Sequence, residues 1–187
     1  MKHLLFLFLL PLCLTVSAQD TLSVEFVDTP PQLRAEDIPR AYKESDQNDL
    51  FLRGVYNSIK SPAYAREYGV PTVVGVTYLV DAGGETSIEK TSIFTPEEAT
   101  KLHVPKEEFI TITSQVTCVL RPNGSLPTAV TPPPSQVISE QRLAKANTVL
   151  EEAAAASILA LPSFLPGSHL GDPVVVRFSR FFSFRTL

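Results

Sequence analysis

The side chains able to make or break bonds are few in this chain, and their spacing suits no known chemistry. Imidazoles stand at His3, His103 and His169 and thiols at Cys13 and Cys118. A nucleophilic pair would join Cys118 to His103, with the imidazole drawing off the thiol proton. Cys118, however, falls on the apolar register of an alternating stretch (Ile110, Ile112, Val116, Cys118, Leu120), where a thiol behaves as a small inert hydrophobe. His103 and His169 are far apart and do not compose a zinc site without several carboxylates. His169 lies in Gly167-Ser168-His169-Leu170-Gly171 and reads as an exposed turn residue. Glu107-Glu108 and Glu151-Glu152 are adjacent in sequence, and neighbours on a helix do not face each other, so they read as solvated charges and not as an acid/base couple. No nucleophile elbow, phosphate loop, H-E-x-x-H or C-x-x-C occurs. The chain therefore reads as non-enzymatic, with no cofactor and no metal.

Composition narrows the remaining classes. Across 187 residues, 44% are apolar and 19% charged, which suits one packed domain and argues against disorder as the dominant state. Sixteen Lys and Arg against 20 Asp and Glu give a formal charge of −4, and phosphate neutralisation needs the opposite balance, so nucleic acid is not an expected partner. The first residues read as an export signal over 1–18: a positive start at Lys2, an apolar run from Leu4 to Val16, and the small residues Ser17-Ala18 at a cleavage position. That run rises about 20 Å as a helix, short of the roughly 30 Å of a bilayer core. The expected location is the periplasm or cell envelope, with no stable membrane anchor after cleavage. Cys13 would leave with the signal and Cys118 would stand alone, so an intrachain disulfide is not expected.

The elements follow from spacing. Residues 19–45 are polar and Pro-broken apart from an alternating Leu22 to Phe26, and read as an arm or linker carrying a short edge strand. Ser45 or Asp46 can cap a helix whose apolar face is Phe51, Leu52, Val55 and Ile59, with Gly54 weakening it by about 1 kcal/mol relative to Ala. A short helical turn over Ala63 to Gly69 leads into the clearest strand, Thr72 to Asp81. That strand turns at Gly83-Gly84 and returns as Thr86 to Phe94. Thr95 caps a short helix running towards His103. A second hairpin is expected over Ile110 to Val130, resembling the first at a constant offset. Ser139 to Leu161 is the longest helix, with Leu143, Ala146, Leu150, Ala153, Ala154, Ile158 and Leu161 inward. The last strand, Val174 to Phe184, sets Val174, Val176, Phe178, Phe182 and Phe184 on one face and Val175, Arg177, Ser179 and Arg185 on the other. The fold class is α+β, a small antiparallel sheet packed against two helices. A terminal strand of this kind commonly lies at a sheet edge, where unpaired backbone groups accept an extended peptide.

Two ordered blocks resemble the C-terminal domain of TonB-type energy transducers, especially the Bacteroidetes-type versions. The first is Ser61-Pro62, Ala65, Glu67, Gly69-Val70, Val74, Val76, Tyr78, Val80-Asp81 and Gly84. The second is Leu161-Pro162-Ser163-Phe164-Leu165-Pro166-Gly167, Gly171-Asp172-Pro173-Val174, Val176 and Phe184. Thr72, Ser61 and Phe181 stand where the family pattern has glycine, tyrosine and proline. The stretch from about 95 to 142 exceeds that pattern, as an insertion carrying the extra hairpin within a domain spanning 46–187. The resemblance implies helix, hairpin, helix and strand in that order. It also implies capture of an extended segment of an outer-membrane or other envelope protein, a TonB-box-like peptide, with a link to TonB-dependent transport. The peptide-binding edge expected on this reading is Val174, Val175, Val176, Arg177, Phe178, Ser179 and Arg180, with Arg177 and Arg180 meeting acidic side chains. Val176→Pro is then expected to abolish capture and leave the helices folded. The alternatives are a truncated membrane-anchored transducer and an envelope scaffold with no open edge.

Overall fold

A computed structural model of the chain describes residues 21–34, 46–68, 71–102, 104, 108–114 and 139–186. The expected export signal, His103, Cys118, the turn and return of the second hairpin, and its proposed likeness to the first lie outside these residues.

Helix α1 (Gln47–Ser58) starts where a cap is available: the Asp46 carboxylate accepts the Asp49 N–H at 2.8 Å, satisfying one of the free donors of the first turn. Leu50, Phe51 and Val55 are its buried face. Gly54 has a packing reason, since a Cβ there would stand 2.5 Å from Cδ2 of Leu161, so the helix gives up propensity for a close approach. Helix α2 (Ala63–Tyr68) follows beyond Pro62. Helix α3 (Pro96–Lys101) opens on a reciprocal cap, Thr95 Oγ1 accepting the Glu98 N–H while the Glu98 carboxylate accepts the Thr95 N–H. Helix α4 (Glu140–Leu159) buries Ala146, Leu150, Ala154, Ser157 and Ile158, whereas Leu143, expected inward, is exposed.

The strands are β1 (Thr21–Ser23), β2 (Gln32–Leu33), β3 (Thr72–Val80), β4 (Thr86–Phe94), β5 (Phe109–Ser114), β6 (Phe164–Leu165), β7 (Gly167–His169) and β8 (Asp172–Thr186). β3 and β4 form the expected hairpin, with the Asp81 carboxylate accepting the N–H groups of Gly83 and Glu85 at the turn. β8 runs antiparallel to β3 from Val176 to Phe184. The sheet path is β1-β8-β3-β4, and β5 and β7 also pair with β8. β2 and β6 make a separate two-stranded ribbon.

The chain is thus α+β, and two of its expected features need correction. The sheet is mixed rather than a small antiparallel one, because β1 and β5 both lie parallel to β8. Residues 21–34, expected as part of an arm, belong to the fold: Leu22 pairs with Val176 and Leu33 is buried in the core. The helices α1 and α4 cover one sheet face, where Val74, Val76, Tyr78 and Val80 of β3 meet Val176, Phe182 and Phe184 of β8 and Ile110 and Ile112 of β5. Period-two alternation puts these side chains on one side, and their removal from water supplies the main drive to fold.

Candidate functional site

β8 is an interior strand, and this overturns the expected peptide edge. Val174 pairs with Gly167 of β7. Val175, Val176 and Arg177 have Thr21, Leu22 and Ser23 of β1 beside them, while Val176 and Arg177 face Val80 and Leu79 of β3 across the other ladder. From Phe181 onwards β5 takes over the β1 side. β1, β5 and β7 have filled the rim that the sequence pattern left open, because alternation marks a strand but not its partner. Only Phe178, Ser179 and Arg180 keep a gap: they pair with Tyr78, Thr77 and Val76, and among the described residues neither β1 nor β5 reaches them.

The two arginines of this stretch have different surroundings. Arg177 projects from the sheet face opposite α1 and α4 and grips Glu89 of β4 with a two-pronged pair, Nε to Oε2 and Nη2 to Oε1, both 2.7 Å. The hydrogen bonds and charge of Glu89 hold its guanidinium above the ordinary arginine range. Arg177 is therefore committed within the sheet. Arg180 is on the helix-covered face, where one charge interrupts the apolar series Val174, Val176, Phe178, Phe182, Phe184. That interruption is the sequence signal which the face assignment passed over. Its guanidinium lies 5.1 Å from the centre of the Phe51 ring, Nη1 donates to the Ser179 carbonyl at 3.1 Å, and Nε is buried with no hydrogen-bond partner. Beside it is a cleft of about 200 Å³ between the start of α1, the β2–β6 ribbon and the sheet.

Tyr78 forms part of the wall of that cleft and stacks on Phe178, with centroids 5.3 Å apart and planes 13° from parallel. Burial pushes its hydroxyl up to about 12 from an ordinary 10.0, the Arg180 charge drawing it the other way. A folded value above the unfolded one means that the native state keeps this contribution below pH 10 and loses it as pH rises through about 12. The gap corresponds to roughly 3 kcal/mol. In an alkaline titration read by tyrosinate absorbance, one of the five tyrosines is expected to ionise together with unfolding, and Tyr78→Phe should flatten the loss of stability between pH 10 and 12. Ionisation of Tyr78 near 10 in the folded chain would contradict this.

The true end of the sheet path is β4, which has β3 on one side and no strand on the other among the described residues. It runs for nine residues, with a bulge at Glu89 where Thr77 pairs with Lys90 and Tyr78 with Ile88. His169, expected in an exposed turn, is half-buried in β7, with Nδ1 lacking a hydrogen bond and Asp28 Oδ2 3.6 Å away. Among the described residues no helix is long and apolar enough to cross a membrane. A scan of protein-family models finds no match to the chain, and searches of curated proteins and of solved structures likewise find none.

Proposed function

We propose that the chain is an exported, non-enzymatic module of the TonB C-terminal-domain type, which captures an extended segment of an outer-membrane or other envelope protein by strand addition along β4. The observation carrying this reading is the outer ladder of β4, open among the described residues and nine residues long at the end of the sheet path. Unpaired N–H and C=O groups of such a strand give a guest its affinity, and alternate side chains give specificity. The order of helix, hairpin, helix and strand, with β8 and β4 flanking β3, supports the family reading. The Glu89 bulge and the exposed charge of Lys90 protect the middle of the edge from pairing with another copy, as native edges are commonly protected. Thr91 to Phe94 remains as the regular run, with Ile93 turned towards the helices and Phe94 to the other face.

Photo-crosslinking residues placed singly at Lys90, Ser92 and the exposed Glu152 of α4 test the reading in envelope preparations. Positions 90 and 92 are expected to reach one extended segment of one protein, the contact moving two residues along the guest as the probe moves two along β4. Equal labelling from Glu152, or contacts that do not advance in register, would refute strand addition at this edge.

A further inference from the structure

The cleft beside Arg180 joins an aromatic surface to a cation with an unsatisfied donor. Leu33, Phe51, Tyr78, Phe164 and Phe178 give it a largely aromatic apolar side around one cation, and Gln47 and Asn48 at the start of α1 give it a polar rim. Among the described residues that cation has a carbonyl and a ring face for company but no carboxylate, and one N–H is shielded from water and unsatisfied. A buried donor without a partner is costly, and a charge in apolar surroundings more so unless a counter-ion is present. The chain nevertheless holds the arginine in place by packing it over Phe51 and by fixing Nη1 on Ser179, which leaves the Nε and Nη2 side of the fork. Arg177 uses that same side of its own fork to hold the Glu89 carboxylate at 2.7 Å through both nitrogens. The planar pair of donors matches a carboxylate in geometry as well as charge.

Size sets the rest of the ligand. An apolar cavity of about 150 Å³ is known to hold benzene. A cleft of about 200 Å³ therefore has room for one ring or a six-carbon chain and a carboxylate besides. The floor is rigid: Tyr78 and Phe178 stack on neighbouring strands, and Leu33 is held by its N–H donating to Gln47 Oε1 at 2.8 Å. The geometry points to a binding site for a compact apolar monocarboxylate, its carboxylate on the Arg180 fork and its ring or short chain between Phe51, Phe164 and Phe178. The site is separate from the β4 edge and does not depend on the strand-addition reading.

Benzoate and hexanoate are the probes, with benzamide and hexanamide as uncharged counterparts of the same shape, followed by calorimetry and by amide shifts of the full chain. Both acids are expected to bind at least tenfold more tightly than their amides and to move the amide signals of Phe51, Phe178 and Arg180. Arg180→Met should remove that preference. Arg180→Lys, which keeps the charge and loses the fork, should weaken the acids without abolishing them, and it carries the test if the Met variant does not fold. Acid and amide binding alike, absence of saturable binding by either acid, or unchanged affinity in Arg180→Lys would each overturn the assignment. A tripeptide, acetyl-Gly-Glu-Gly-amide, separates a free acid from a peptide side chain. Binding as tight as that of hexanoate would show that the apolar walls contribute nothing, and would refute the small-acid site.

Discussion

A chain carrying Val176→Pro is expected to lose its cooperative fold. Val176 is fully buried, and it has Val80 of β3 on one side and Leu22 of β1 on the other. Whichever strand its N–H faces, a ladder is there to lose it. The pyrrolidine ring also fixes φ near −65°, away from the extended value a β-strand needs. A buried carbonyl left without its donor costs about 1–3 kcal/mol. Disturbing the seat of a buried valine puts at risk a further contribution of about 1.5–3 kcal/mol. Together these take a large part of the roughly 5–15 kcal/mol that holds a domain of ordinary stability. Urea unfolding followed by far-ultraviolet circular dichroism is the measurement. A wild-type midpoint in the variant would mean that β8 is not the interior strand described. The result also separates two placements of the strand: at an edge with its N–H outward, the same proline would leave the helices folded.

That reversal shows which parts of the molecule are written locally. Asp46 as a cap, the β3–β4 hairpin with its turn at Gly83-Gly84, the Thr95 cap and the long α4 all depend on residues within a few positions of one another. Periodicity and capping chemistry therefore find them. β1, β2, β6 and β7 have two or three residues each. Alternation at Leu22 marks β1 as a strand without naming its partner, β1 and β2 pair with segments distant in sequence, and β7 pairs with β8 across the tight Leu170-Gly171 turn. Parallel pairing of β1 and β5 with β8 leaves no hairpin signal at all. The expected edge failed for this reason: the amphipathic pattern of β8 tells which face is buried but not how many neighbours lie in its plane. The candidate cleft was partly legible. Arg180 is a lone charge on an apolar register, but its setting depends on Phe51 and Phe164, which only the folded chain brings near it. Gly54 is a similar case, its cost in helix propensity visible in sequence and its reason, the side chain of Leu161, visible only in the packing.

Gly84→Ala is expected to be far more damaging than Gly171→Ala, although both glycines have nearly the same φ. Their φ angles are +86° and +90°, in the region where an L side chain is strained. That strain alone costs roughly 1–2 kcal/mol, and Gly171→Ala should show little more, because nothing lies within 4 Å of the added carbon. At Gly84 the added carbon would fall 1.8 Å from the carbonyl oxygen of Phe164, a position no atom can share. The hairpin turn is docked there by the Phe164 N–H donating to the Gly84 carbonyl at 3.0 Å, so the clash must break that bond or push β6 away. Phe164 is a buried core residue and β6 is paired with β2, so moving it disturbs both the ribbon and one wall of the Arg180 cleft. Losing the docking bond and loosening an aromatic side chain add about 2–4 kcal/mol to the backbone strain. Parallel urea titrations of the two variants measure the difference directly, with the shared strain cancelling. If the two alanines cost the same, the turn does not rest on β6, and the cleft has no fixed wall on that side. If Gly84→Ala alone is severe, the β3–β4 hairpin, the β2–β6 ribbon and the floor under Arg180 form one mechanical unit. A ligand seated on the arginine would then stabilise the hairpin that presents the β4 edge.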